Sequence, residues 1–402
     1  MASRPTAIPQ KILHAGGLAL GALGLTADRP LFGPVYAQVS VADPCNYRCV
    51  MCGYHPPTGD PDPLDQFAGK APGLISAEVF RRLADELWAL GTRQLDLVGR
   101  GEPLLHSEIP NLVGCAKRCG FTVTLTTNGS RLDEGVSRAL LAAGLDRIRI
   151  SLNVGRPETY GKLHVNRTAD DFRRICGQAL RLSELRRSMG VATHVAAAYV
   201  VGSANYRELK EMIDMASAVG ADAAHFQFSV RMAGADGLEM TDSQYCELVD
   251  ILIPAALARA RSLGMETDLE ALRSGPLAYR LADGPDPHAT VPCYAGFFFT
   301  LVLGNGNVVG CCQTRQALGN VMGDGFTAVW KGEAYRRFRH AARRLPKPDP
   351  VLATCECDSC FFRPHNVTIH NLLHPLARIP AAPGEQRMAF AHLLRLSQLK
   401  RE

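Results

Sequence analysis

Cys45-Asn46-Tyr47-Arg48-Cys49-Val50-Met51-Cys52 follows directly on an apolar, strand-like run from Val35 to Val41. The C-x3-C-x2-C spacing lets one short loop present three thiolates to one centre. Thiolates in such loops hold iron–sulfur cubes, and three of them leave one iron of a four-iron cluster without a protein ligand. Structural zinc also takes thiolate, but it closes on four ligands. No fourth cysteine follows at once, and His55, in a Pro-rich turn, is the nearby alternative.

Outward from this loop the hydrophobic period alternates between helix and strand. A Pro- and Gly-punctuated loop runs to about Leu74, and Ser76 then opens a helix to Leu90 with Val79, Leu83, Leu87 and Leu90 on one face. Strands are expected at Gln94 to Val98, Thr122 to Thr126, Arg147 to Leu152, His194 to Val200 and His225 to Val230. Helices fall between and after them, at Ser107 to Arg118, Leu132 to Ala143, Ala169 to Met189, Tyr206 to Val219 and Asp242 to Leu263. About six β/α repeats imply an α/β fold with a parallel sheet and right-handed crossovers. Functional residues in such sheets collect where strands end. Three segments there draw notice: Val98-Gly99-Arg100-Gly101-Glu102-Pro103, Thr126-Thr127-Asn128-Gly129 and Ile150-Ser151-Leu152-Asn153. A phosphate loop is the rival reading of the first, but Leu104 stands where the third glycine of G-x-G-x-x-G should be. His225 and Gln227 point either to the cavity or to satisfied barrel-interior roles.

In this order the cysteine loop and the strand ends resemble the radical S-adenosylmethionine (SAM) superfamily. The resemblance implies a partial (β/α)6 barrel, and a [4Fe–4S] cluster on Cys45, Cys49 and Cys52 whose open iron is chelated by SAM. It also implies a 5′-deoxyadenosyl radical that takes hydrogen from a substrate. Gly101 and Glu102 match the family's Gly-Gly-Glu segment, which receives the SAM ammonium, with Arg100 at a usual glycine position. Ser151 matches a residue that holds the SAM ribose or carboxylate, and Asn128 and Asn153 lie in similar segments. Met51 stands where an aromatic residue is usual, and its thioether can pack against adenine.

A second cysteine group lies beyond a Gly/Pro-rich connection. Cys293 precedes an expected strand from Phe297 to Leu303, the turn Gly304-Asn305-Gly306-Asn307, a strand at Val308-Val309 and Cys311. Asn-Gly between β-rich runs signals a hairpin. Cys357-Asp358-Ser359-Cys360 adds a knuckle. With Leu318-Gly319-Asn320-Val321, Trp330 and Arg339, the pattern resembles the C-terminal SPASM and twitch domains of radical SAM enzymes. The shorter twitch form implies one auxiliary [4Fe–4S] cluster on Cys293, Cys311, Cys357 and Cys360. Cys312 and Cys355 compete for those places, and four thiolates of this spacing also suit zinc. The organisation expected is an N-terminal extension (1–34), the barrel (35–270), a linker (271–292), the auxiliary-cluster domain (293–370) and a helical tail (371–402).

The 402 residues are 47% hydrophobic and 21% charged, the composition of a soluble globular chain. A net charge of +5, interleaved rather than massed, does not point to nucleic acid. Ile12 to Ala27 is apolar but Gly-rich and is read as a short packing helix rather than a signal peptide. No run is long enough to span a bilayer, so a cytoplasmic protein is expected. Thirteen cysteines, mostly gathered near the start and the end, favour metal ligation in a reducing compartment over disulfides. Cys115, Cys119, Cys176 and Cys246 are read as packing thiols, with Cys246 the alternative hydrogen-atom donor.

An all-cysteine auxiliary cluster has no open iron for substrate but can accept an electron, which favours a two-electron oxidation such as alcohol to ketone. Only 44 residues precede the first cysteine, fewer than the peptide-binding domain common in peptide-modifying relatives. By family analogy the substrate is therefore a small molecule, a sugar or aminocyclitol of antibiotic biosynthesis, with a ribosomal peptide as the alternative. Flavodoxin or ferredoxin is the expected electron donor. Asp222, Asp242 and Glu266 are acids suited to an amino sugar, and no catalytic base is identified. A non-enzymatic zinc protein is the rival of a different class.

Overall fold

The computed structural model describes residues 30–57, 73–229, 238–273, 291–357, 360 and 362–374. The expected helix at Ile12 to Ala27, most of the loop after Cys52, most of the linker and most of the tail fall outside these residues.

Seven strands run parallel in chain order: β1 Tyr36–Val39, β2 Gln94–Leu97, β3 Thr122–Thr127, β4 Arg147–Ser151, β5 His194–Val201, β6 Ala223–Phe228 and the short β7 Glu266–Thr267. Helices Ala77–Ala89, Ile109–Cys119, Glu134–Ala142, Ala169–Ser188 and Leu209–Ala218 return the chain between them. Their starts and stops follow the sequence. Ser76 Oγ accepts the Val79 N–H at the first, and Gly120 takes φ 101° to end the second. The buried face of the first helix is Phe80, Leu83, Ala84 and Leu87 rather than the stripe through Val79 and Leu90. A helix at Pro157–Leu163, which the sequence reading missed, follows β4.

The hairpin of the second cysteine region continues the same sheet. Its strands are β8 Phe299–Val302 and β9 Asn307–Val309, with β10 Gly319–Asn320 beyond. β8 pairs parallel with β1, Tyr36 against Phe299 through Val39 against Val302. The order is therefore β10-β9-β8-β1-β2-β3-β4-β5-β6-β7, one open sheet of ten strands. Phe297 and Phe298, expected in the strand, instead form a short helix Ala295–Phe298, and the strand begins at Phe299. Asp43 pins the hairpin turn to the first cysteine loop, its carboxylate accepting the Gly304 N–H at 3.0 Å and the Asn305 N–H at 3.3 Å.

Candidate active site

The cysteine loop leaves β1 and is held from three sides. Cys49 forms an isolated backbone bridge with His164, and Val165 N donates to Arg48 O at 2.9 Å. Arg167 donates to Asn46 O and lays its guanidinium 4.2 Å from the Tyr47 ring centre. The Asn128 amide donates to Asn46 Oδ1 at 3.0 Å, and Asn46 donates to Ser130 Oγ at 2.8 Å. The three thiols feel one another. Burial pushes Cys45 up to about 11, with Glu102 and Cys52 adding to it, and burial followed by Cys52 and Cys45 pushes Cys49 up. Deprotonating them together therefore requires a cation, as iron supplies, and an all-thiolate donor set on one loop fits a cluster. Met51 packs half-buried beside them.

The segment after β2 sits on this loop. A Cβ at Gly101 would stand 2.2 Å from Pro44 O, 2.3 Å from Asp43 O and 2.4 Å from Ala42 O, so only glycine fits. Glu102 is buried, and its carboxylate accepts from Leu104 N (2.9 Å), Thr127 Oγ1 (2.6 Å) and Asn128 N (2.7 Å). Three of the roughly four lone-pair positions of a carboxylate are thus taken within the chain. What this segment leaves for a ligand is mainly backbone.

Ser151 and Asn153 line a cavity of about 610 Å³ walled by residues on and next to β1 to β7. Asn153 adopts φ 63°, donates from Nδ2 to His164 Nε2 at 3.2 Å and accepts the Val200 N–H at 3.1 Å. The cavity lining mixes apolar groups such as Val98, Ile148 and Phe226 with charged groups of both signs, among them Arg147, Glu266 and Asp268. Strand register sorts these side chains into layers. Ser151 pairs with Ala198 and Ala198 with His225, so Ser151 and His225 share one level. His225 Nδ1 lies 3.2 Å from Asp268 Oδ2, while Asp268 Oδ1 accepts the Phe226 N–H at 2.8 Å. Deeper in the sheet, Asp96 accepts from Tyr36 Oη (2.6 Å) and Arg149 Nη1 (3.2 Å).

The sequence reading missed Arg147, Arg149 and Asp268. A signal for the first two existed, because Arg147-Ile148-Arg149-Ile150-Ser151 alternates polar with apolar and so aims one face into the barrel. Asp268 follows a two-residue strand too short to see. Of the acids expected to suit an amino sugar, Glu266 lines the cavity. Asp222 is instead tied to Arg186 and the Val195 N–H, and Asp242 opens a surface helix.

Residues 39–222 match the radical SAM superfamily and residues 293–361 the SPASM iron–sulfur cluster-binding domain. A GTP 3′,8-cyclase of Rhodopseudomonas palustris (strain ATCC BAA-98 / CGA009) is 30% identical over 266 residues, 63% of this chain and 69% of that protein. This chain belongs to the radical SAM superfamily. A probable GTP 3′,8-cyclase of Pyrobaculum aerophilum is 31% identical over 182 residues, and the match spans 45% of this chain and only 53% of that relative's length. Streptococcus suis SuiB bound to the precursor peptide SuiA shares the fold, with a TM-score of 0.61 at 13% identity over 96% of this chain and 84% of SuiB. The radical SAM domain implies a four-iron cluster and SAM, and the SPASM domain auxiliary iron–sulfur ligation.

In this radical SAM chain the second cysteine group closes around a void behind the hairpin. Cys293, Cys311, Cys355, Cys357 and Cys360 line it, with Phe338, Leu352 and Phe362 completing the apolar wall. The knuckle is fixed to the hairpin by Glu356 N donating to Gln313 O at 3.1 Å. Burial raises the Cys293 and Cys360 thiols, and neighbouring thiols raise them further. Among the described residues no three His, Cys, Asp or Glu side chains form a group placed to hold a metal ion. A thiol-lined void fits a multi-atom cluster by its donor chemistry. Cys355 thus stands with the four expected ligands, whereas Cys312 lies against Cys311 outside this lining. Among the described residues no helix is long and apolar enough to cross a membrane.

Proposed function

We propose that this radical SAM enzyme oxidises an alcohol carbon of a sugar or aminocyclitol to the ketone, in natural-product biosynthesis. When bound, the cluster and SAM supply a 5′-deoxyadenosyl radical that takes the carbon-bound hydrogen atom. In this reading Cys45, Cys49 and Cys52 hold the cluster, the backbone at Gly101, with Asn128, Ser151 and Asn153, orients SAM, and Met51 packs on its adenine. Glu102 keeps that frame rigid. Cys293, Cys311, Cys357 and Cys360 hold an auxiliary [4Fe–4S] cluster that receives the second electron, and flavodoxin or ferredoxin supplies the first.

The observation that carries this reading is the cavity lining. Side chains of both signs and several amides surround about 610 Å³, which suits a compact substrate rich in hydroxyl and amino groups. His225 is the group suited to take the hydroxyl proton. Asp268 Oδ2 lies 3.2 Å from His225 Nδ1 and orients the ring, and His225 stands at the strand level of Ser151.

The test is anaerobic: reconstituted protein, a strong reductant, SAM and carbon-deuterated sugars or aminocyclitols. Deuterium in 5′-deoxyadenosine together with a ketone product supports the proposal, and transfer from none of the panel defeats it. A second reading, a purine nucleotide substrate, is favoured by the shared name of the curated relatives and by Arg147 and Arg149 in the cavity. GTP belongs in the same panel. The SuiB likeness is one of fold and adds nothing to a peptide reading.

A further inference from the structure

The two cysteine groups are joined by one side chain. Tyr54 lies two residues beyond Cys52, and its Oη donates to the carbonyl oxygen of Cys312 at 2.9 Å, next to Cys311. The Arg100 guanidinium lies 5.1 Å from the Tyr54 ring centre, and the Arg100 N–H is itself held by Ser40 Oγ at 3.1 Å. The join is not loose. On one side Asp43 clamps the hairpin turn to the cysteine loop, and on the other β8 pairs with β1 in the sheet. Tyr54 thus runs from the first cysteine loop to the backbone of the second cysteine group.

We infer that Tyr54 is the positioning residue through which an electron passes between the auxiliary cluster and the SAM-binding cluster. Tunnelling falls off steeply with distance and falls off less along covalent bonds and hydrogen bonds than across gaps. The route runs from Cys311 through the Cys312 carbonyl, across one hydrogen bond to Tyr54, and along the backbone to Cys52. One electron leaves the reduced auxiliary cluster and one arrives at the oxidised SAM-binding cluster, with no proton moved. The Tyr54 phenol donates to a neutral backbone carbonyl, which takes up no proton, so Tyr54 acts as a bridge rather than a carrier. This inference rests on the reading that the auxiliary cluster takes an electron from substrate.

The experiment uses no substrate, so its outcome and that of the alcohol proposal are independent. Full-length protein with both clusters reconstituted is given less than one electron equivalent, frozen at intervals, and the two cluster signals are followed by electron paramagnetic resonance. Tyr54→Phe keeps the ring over Arg100 and removes only the donor. The expected result is a several-fold slower redistribution between clusters, with iron content, both midpoint potentials and the pulsed-resonance intercluster distance unchanged. An unchanged rate in Tyr54→Phe overturns the inference, whatever the rate in Tyr54→Ala. Loss of auxiliary iron, or a changed distance, in Tyr54→Phe also overturns it, because the tie would then be structural.

Discussion

The Glu102 carboxylate accepts the backbone N–H of Asn128 at 2.7 Å, so the end of β2 and the end of β3 are one unit. The same carboxylate accepts Thr127 Oγ1 and Leu104 N, and Asn128 in turn holds the cysteine loop through Asn46. Glu102→Gln keeps the size but presents an NH2 group to one set of donors. We expect a loss of about 1–3 kcal/mol, the cost of mismatching a buried charged acceptor. Denaturant unfolding checks the stability, and equilibrium dialysis with SAM checks the accompanying loss of affinity.

Gly101 faces three carbonyl oxygens of the cysteine loop. Because those atoms are backbone, a methyl group cannot be accommodated by a side-chain rotation. Gly101→Ala should push the loop away at a cost of about 1–3 kcal/mol. It should lower 5′-deoxyadenosine formation while leaving iron on the auxiliary site. Iron analysis and chromatography of the SAM products separate the two effects, and full activity would mean that the segment tolerates displacement.

Placement of the thiols makes the cysteine variants unequal. Alanine at Cys45, Cys49 or Cys52 should abolish SAM cleavage. Alanine at Cys293, Cys311 or Cys360 should remove auxiliary iron only, and Cys312→Ala should keep it, because Cys312 stands outside the void. Iron and sulfide counts after anaerobic reconstitution decide between these outcomes, and loss of auxiliary iron in Cys312→Ala would reverse the assignment.

His225 and Asp268 predict a loss of turnover without a loss of SAM cleavage. With a deuterated substrate that passes the test above, His225→Gln should lower product formation about 10²–10⁴-fold, the range for removing a general base. Cleavage of SAM without substrate should be unaffected. Asp268→Asn should lower the rate by a smaller factor, since it removes the carboxylate that orients the His225 ring. A His225→Gln enzyme with unchanged turnover would remove the residue from the chemistry.

Asp222 governs acid stability near the sheet's start. Burial alone would raise its carboxyl, but Arg186 and the Val195 N–H outweigh this and hold it below the ordinary carboxylate range. The unfolded chain therefore takes up this proton first on acidification, so the contribution is present above the unfolded value near 4 and is lost as pH falls through the lower folded value. Asp222→Asn should cost about 1 kcal/mol at neutral pH, after allowance for partial exposure, and flatten the acid limb of stability. Thermal melts from pH 7 to pH 3 check both.

Much was legible because it was local. The spacing Cys45, Cys49, Cys52 needs no partner to be recognised, helix caps such as Ser76 act over three residues, and strand alternation follows from backbone geometry. Order along the chain also implied that the segments at Gly101, Asn128 and Ser151 collect at one end of a parallel sheet. The tertiary structure decided what depends on residues far apart in sequence. β8 docks on β1 from more than 250 residues away and turns two expected domains into one sheet, a pairing no local period encodes. It places Cys355 in the lining of the thiol-rich void and Cys312 outside that lining, because a void is defined by all its walls at once. It also joins His225 to Asp268 and Tyr54 to Cys312, since a hydrogen bond between distant residues exists only once packing has fixed both ends.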